Sequence, residues 1–123
     1  MLDHIGLNVS DYDRSREFYE RALAPLGFSL LMEPMPSIGG FGRDGKPWFW
    51  INDQRQPTSE NVHVAFTVPD RATVDAFHAA ALEAGGTDNG APGLREIYHP
   101  DYYGAYVLDP DGNNVEAVCH RPE

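Results

Sequence analysis

Asp3-His4-Ile5-Gly6-Leu7-Asn8-Val9-Ser10-Asp11 is an alternating run that opens on a histidine and closes on an aspartate. It returns fifty-nine residues later as Val62-His63-Val64-Ala65-Phe66-Thr67-Val68-Pro69-Asp70. The register then holds without a gap. Phe18 falls on Phe77, Ala22 on Ala81, Leu23 on Leu82 and Gly27 on Gly86, so that 7 of 24 positions are identical. A repeat of this length marks two copies of one supersecondary unit. The chain is therefore expected to fold as two similar halves.

Side chains alternate across a strand. In the first copy Ile5, Leu7 and Val9 point one way and His4, Gly6 and Asn8 the other. The apolar set suits packing under a helix; the other set is small and polar, which suits the lining of a site. Ser10 or Asp11 caps the following helix, with its buried stripe at Phe18, Ala22, Leu23 and Leu26 and its end at Pro25 and Gly27. Strands are expected at Phe28–Met32, Phe41–Arg43 and Trp48–Ile51, with Asp44-Gly45 as a turn and a Pro/Gly-rich stretch from Glu33 to Gly40.

In the second copy His63, Ala65 and Thr67 share one face. Asp70 caps a helix with its stripe at Val74, Phe77, Ala81 and Leu82, stopped by Gly85-Gly86. Strands follow within Thr87–Ile97, at Tyr106–Leu108 and at Asn113–Cys119, the last two joined by Asp109-Pro110-Asp111-Gly112. The pattern is βαβββ twice. It predicts an α+β fold in one domain, 1–123, with modules at about 1–53 and 61–121 and a polar link over Asn52–Asn61. Between helix and turn the second half is eight residues longer, in the loop carrying His99 and Tyr103.

Composition narrows the function. Nineteen acidic residues against nine basic give a net charge of −10, which argues against nucleic acid. No apolar run reaches the roughly 20 residues that span a bilayer, so no membrane partner is expected. The first strand begins almost at once, so no signal peptide is expected, and the single cysteine, Cys119, fits the reducing cytoplasm in which the protein is expected to work. No base accompanies Cys119, so it reads as a structural or free thiol.

Glu116 stands in an otherwise apolar strand, Val115-Glu116-Ala117-Val118. A buried carboxylate is costly unless paired or bound to a metal. His4, His63 and Glu116 thus make a candidate two-histidine, one-carboxylate set. Such a set leaves coordination positions open and suits one divalent ion: Fe, Mn, Ni, Co or Zn. A lone strand histidine is more often structural. Two at matching positions of a repeat, with an isolated strand glutamate, favour the metal.

The chain resembles the vicinal oxygen chelate superfamily, which includes glyoxalase I, extradiol dioxygenases, fosfomycin-resistance transferases, methylmalonyl-CoA epimerase and bleomycin-resistance proteins. The resemblance rests on DHIGLNV-S-D, on VHVAFTV-P-D and above all on YYGAYVLDPDGNNVEAV. It implies two βαβββ modules curled as a mixed sheet around a shared cavity, with His4, His63 and Glu116 at three metal positions. A fourth position, Glu or Gln in glyoxalase I and the epimerase, falls on Phe49 here, or on Trp48 or Trp50 with the register shifted by one; none of these can ligate, and typical glyoxalase I chemistry is therefore not expected. The resemblance also implies a homodimer and a small-molecule substrate.

The expected activity is metal-dependent chemistry on a small oxygen-bearing molecule, of the glyoxalase-like lyase or dioxygenase kind. Glu116, His99, Tyr103 and Tyr106 are the candidate catalytic groups, the last three as proton shuttles. Tyr102, Tyr103 and Tyr106 can also be read as a packed aromatic strand, and His99 as a surface loop residue. The alternative function is a non-catalytic, bleomycin-resistance-like protein that sequesters a drug.

Overall fold

A computed structural model describes all of residues 1–123. The first half runs β1 (Ile5–Asn8), α1 (Tyr12–Leu23), a 3-10 turn (Ala24–Leu26), β2 (Ser29–Met35), β3 (Ile38–Arg43) and β4 (Lys46–Asn52). The second runs β5 (His63–Thr67), α2 (Arg71–Glu83), β6 (Thr87–Leu94), β7 (Tyr103–Leu108) and β8 (Asn114–Cys119). Each half is a four-stranded sheet with one helix. The strand orders are β1-β4-β3-β2 and β5-β8-β7-β6, with only β1/β4 and β5/β8 parallel. This is the α+β architecture that the repeat implied.

The local signals act as expected at the helix starts. Asp11 accepts from the backbone N–H of Arg14, and Asp70 from that of Thr73. Each fills one of the donors that a helix N-terminus leaves unpaired. Gly27, at φ +82°, ends the first helical segment in a left-handed conformation that costs glycine little.

The strands run longer than the sequence pattern suggests. β2 continues through Pro34 to Met35, and β6 runs through Pro92. Both are edge strands, where a missing N–H disturbs no ladder, and both carry register shifts. Leu82, expected in the helix stripe, is instead among the exposed apolar residues.

One core joins the halves. Its 21 buried residues include Leu7, Phe18, Tyr19, Phe41, Phe49 and Ile51 from the first half and Val74, Phe77, Val107 and Ala117 from the second. The Phe49 and Phe66 rings meet edge-to-face at 5.6 Å, and α1 packs on α2. Burying each such ring contributes about 1.5–3 kcal/mol. Tyr19 is wholly buried and donates to Asp109 in the β7–β8 turn.

This packing decides where the site faces lie. The core side of the first sheet holds Leu7, Phe49 and Ile51, so His4, Gly6 and Trp50 lie on its outer side. The core side of the second holds Val115 and Ala117, so His63, Ala65 and Glu116 lie on its outer side. Neither outer face is covered by a helix of its own chain. The edge strands β1 and β5 do not hydrogen-bond to each other. Residues of the link dock on β1 instead, Ser59 donating its backbone N–H to Asn8 O at 2.7 Å.

Candidate functional site

Glu116 is fully buried although carboxylates are seldom found so. β8 places it beside Ala65 of β5 and opposite Tyr106 of β7. His63, two residues before Ala65, projects from the same face. Its Nε2 lies 2.8 Å from one carboxylate oxygen of Glu116. The other oxygen accepts from the hydroxyl of Tyr102, just before β7. With both oxygens engaged, the cost of burying the carboxylate is offset by charge-assisted hydrogen bonds. Burial, then the bond to Glu116, push the Tyr102 phenol well above its ordinary value, so it remains a donor. Gly104 makes room for the pair: a Cβ there would stand 3.2 Å from both the carboxylate and the Tyr102 ring.

Tyr106 shares this face, its ring 6.1 Å from that of His63. Tyr103 does not. It sits one step out of phase, donates to Asp75 of α2 at 2.7 Å and carries the Arg71 guanidinium on its ring at 5.0 Å. The structure therefore does not bring Tyr103 to the pair, since strand neighbours point oppositely. His99 is not bonded to the pair either. Its Nδ1 accepts from the backbone N–H of Asp101, and its Nε2 meets His120 Nδ1 at 2.6 Å. It flanks the Tyr102 ring at 5.7 Å and bonds to neither His63 nor Glu116. Tyr102, a possible site group of this loop but not one of the catalytic candidates, is the tyrosine that reaches Glu116. Its even spacing from Gly104 and Tyr106 carried the signal.

His4 stands apart from the pair. Its Nδ1 lies 2.8 Å from Asp3, whose other oxygen accepts from Lys46 at 2.6 Å. Those bonds, Lys46 first and His4 second, hold the Asp3 carboxyl below the usual range. His4 and His63 both border a cavity of about 520 Å³ at the seam of the two sheets, with Trp48, Val64 and Phe66 in its walls. No three His, Cys, Asp or Glu side chains of the chain stand close enough to enclose a metal ion. The donor set of one chain thus does not by itself fit a resident metal: His63 and Glu116 converge, and the third donor is missing.

The first half has no counterpart of Glu116, and the register shows why. His4 matches His63, so Gly6 matches Ala65, and Gly6 pairs with Trp50. Trp50 is therefore the structural equivalent of Glu116. Counting from the turns gave Phe49, which faces the core. The difference is a bulge: Phe41 pairs with Phe49 but Gly42 with Pro47, so β4 carries one extra residue. Trp50 lies over Gly40, where a Cβ would meet the indole at 2.9 Å. Neither residue can ligate, so the expectation that the fourth ligand is absent is unchanged.

Residues 1–117 match the sequence model of the Glyoxalase/Bleomycin resistance protein/Dioxygenase superfamily. No curated protein matches the chain in sequence. Among solved structures, a glyoxalase/bleomycin resistance protein from Albidiferax ferrireducens T118 is 30% identical, covers 99% of each chain and superposes with a TM-score of 0.82. A glyoxalase/bleomycin resistance protein/dioxygenase family enzyme from Burkholderia phytofirmans PsJN is 22% identical over 97% of this chain and 98% of its own, with a TM-score of 0.74. Lactoylglutathione lyase from Agrobacterium tumefaciens shares the fold at 18% identity over 97% and 92%, with a TM-score of 0.69. The doubled βαβββ unit, the buried strand glutamate under a matching histidine, and the family match over nearly the whole chain agree: this protein belongs to the Glyoxalase/Bleomycin resistance protein/Dioxygenase superfamily.

Proposed function

We propose that the protein is a metal-dependent enzyme acting on a small oxygen-bearing molecule, of the glyoxalase-like lyase or extradiol-type dioxygenase kind, and that its site is completed in a homodimer. His63 and Glu116 of one copy and His4 of a second copy hold the ion. The observation that carries this reading is the split of the donor set. A buried, fully hydrogen-bonded glutamate and its histidine lie on one uncovered face, while the third donor lies on the uncovered face of the other sheet.

The surface around these faces fits a covered interface. Met32 shares the first sheet's outer face with Gly40 and Trp50, and Ile97 and Tyr98 lie beside the second; all but Gly40 and Trp50 are large exposed apolar groups. A two-fold axis would lay the first face of each copy over the second face of the other, forming two equal sites. A divalent ion held there by His63, Glu116 and the second copy's His4 would supply Lewis-acid stabilisation of negative charge on substrate oxygens. Tyr102 keeps its proton and orients Glu116; Tyr106 stands beside His63 within the pocket as the remaining proton-carrying group.

The second reading, a protein that binds a drug without reaction, is favoured by Trp50 in the place of a fourth ligand. The two are separated by subunit complementation. His4→Ala and Glu116→Ala homodimers should each take up no metal. Mixed and refolded together, they should regain about a quarter of the wild-type metal, because half the dimers are hybrid and each hybrid has one intact site. Stoichiometric metal in either single variant, or no recovery on mixing, would sink the shared site. No metal in the wild type after incubation with Fe(II), Mn(II), Ni(II), Co(II) and Zn(II) would leave the drug-binding reading.

A further inference from the structure

The outer face of the second sheet opens into a cavity of about 510 Å³, bordered by His63, Asn89, Arg95, Tyr98, Tyr102 and Tyr106. Arg95 is the only lysine or arginine in its wall. Arg14, Arg16, Arg21 and Arg43 each have a carboxylate within 4.0 Å; Arg95, like Arg55, Arg71 and Arg121, has none. Among these unpaired guanidinium groups, Arg95 is the one that borders the pocket of His63, Tyr102 and Tyr106.

Its placement is built rather than incidental. The guanidinium stacks on Tyr106 at 5.3 Å from the ring centroid and donates one hydrogen bond to Ala91 O at 2.6 Å. Two glycines of the edge strand β6 clear its path. A Cβ at Gly90 would stand 2.6 Å from the Tyr106 ring and 3.3 Å from the guanidinium, and one at Gly93 would stand 3.0 Å from it. Stacking and the carbonyl bond fix the plane of the fork, leaving other N–H donors free for an anion. Tyr106 links it to His63 across the same pocket.

We infer that Arg95 is the anion-recognition group of this pocket and that its ligand is an organic carboxylate, held by the guanidinium, with a neighbouring oxygen set beside His63. A planar guanidinium matches a carboxylate in two parallel hydrogen bonds, and the exposed ring of Tyr98 in the same wall offers a surface to an aromatic or apolar body. The neighbouring-oxygen part rests on the metal reading above. The recognition of the carboxylate by Arg95 does not. A cationic drug would be disfavoured at this wall.

The test compares benzoylformate, an aromatic 2-oxo acid, with its uncharged amide, by calorimetry on chelator-treated full-length protein. The acid should bind at least about tenfold more tightly than the amide and weaken with added salt. Arg95→Gln should erase the difference between acid and amide; Arg95→Lys, which keeps the charge but not the fork, should retain part of it. Unchanged melting temperatures would show that both variants fold. Acid and amide bound alike by the wild type, no binding of the acid at about 10 mM, or full discrimination kept in Arg95→Gln would overturn the inference. Metal content is measured on an untreated portion. Protein that takes no metal yet distinguishes acid from amide upholds Arg95 and removes the metal reading; the opposite pair of results does the reverse.

Discussion

The hydroxyl of Tyr19 donates to a carboxylate oxygen of Asp109 at 2.6 Å, joining the helix of the first half to the last turn of the second. Both groups are buried, and the other Asp109 oxygen accepts the backbone N–H groups of Asp111 and Asn113. The bond ties the two modules through their helix side. With both helices packed between the sheets, the site faces look outward instead of toward each other. Tyr19→Phe removes the donor and leaves a buried acceptor short of a partner. The expected loss is about 1–3 kcal/mol of unfolding free energy. Urea unfolding followed by circular dichroism should still show one transition, because a single core spans both halves.

Glu116→Ala should cost more than Glu116→Gln. The alanine variant leaves a void and strips both His63 and Tyr102 of their acceptor; together these effects amount to about 2–4 kcal/mol. Glutamine keeps the volume and one acceptor oxygen, and about half that loss is expected. A glutamine variant as unstable as the alanine variant would mean that charge, not shape, holds the site together.

Alkali should loosen the protein through its buried phenols. Burial, then Asp109, push Tyr19 well above its ordinary value; burial, then Glu33, do the same for Tyr12. A folded pKa raised above the unfolded value of about 10 means stabilisation that is complete below pH 10 and is lost as the pH rises through the folded pKa. Phenolate absorbance at pH 10.5 should therefore fall short of that of the denatured chain. Unfolding free energy should drop between pH 10 and 12, more shallowly in Tyr19→Phe.

Gly42→Ala should be severe, at least about 2 kcal/mol. Gly42 of β3 sits opposite the bulge of β4, and a Cβ there would stand 1.9 Å from the backbone oxygen of Lys46. Relief requires moving β4, which carries Trp50. A thermal melt of the variant near that of the wild type would refute the bulge.

The sequence determined by itself what depends on local chemistry and on the repeat: two strand–helix–strand units, the Asp11 and Asp70 caps, Phe18 and Phe77 in the core, and an isolated glutamate that needed a partner. Those follow from periodicity and from the cost of burying charge, both written in neighbouring residues. Pro34 and Pro92 masked the lengths of β2 and β6, since proline speaks against a strand until the strand is known to be an edge. The fold selects Trp50, rather than Phe49 or Trp48, as the residue that stands where Glu116 does, because a bulge shifts the count without any local sign in β4. It also decided which tyrosines face the glutamate, Tyr102 and Tyr106, and which faces α2, Tyr103. And it decided that His4 stays apart from His63 and Glu116. Strand alternation puts each residue on a face, but the packing of the helices between the sheets sets which faces meet.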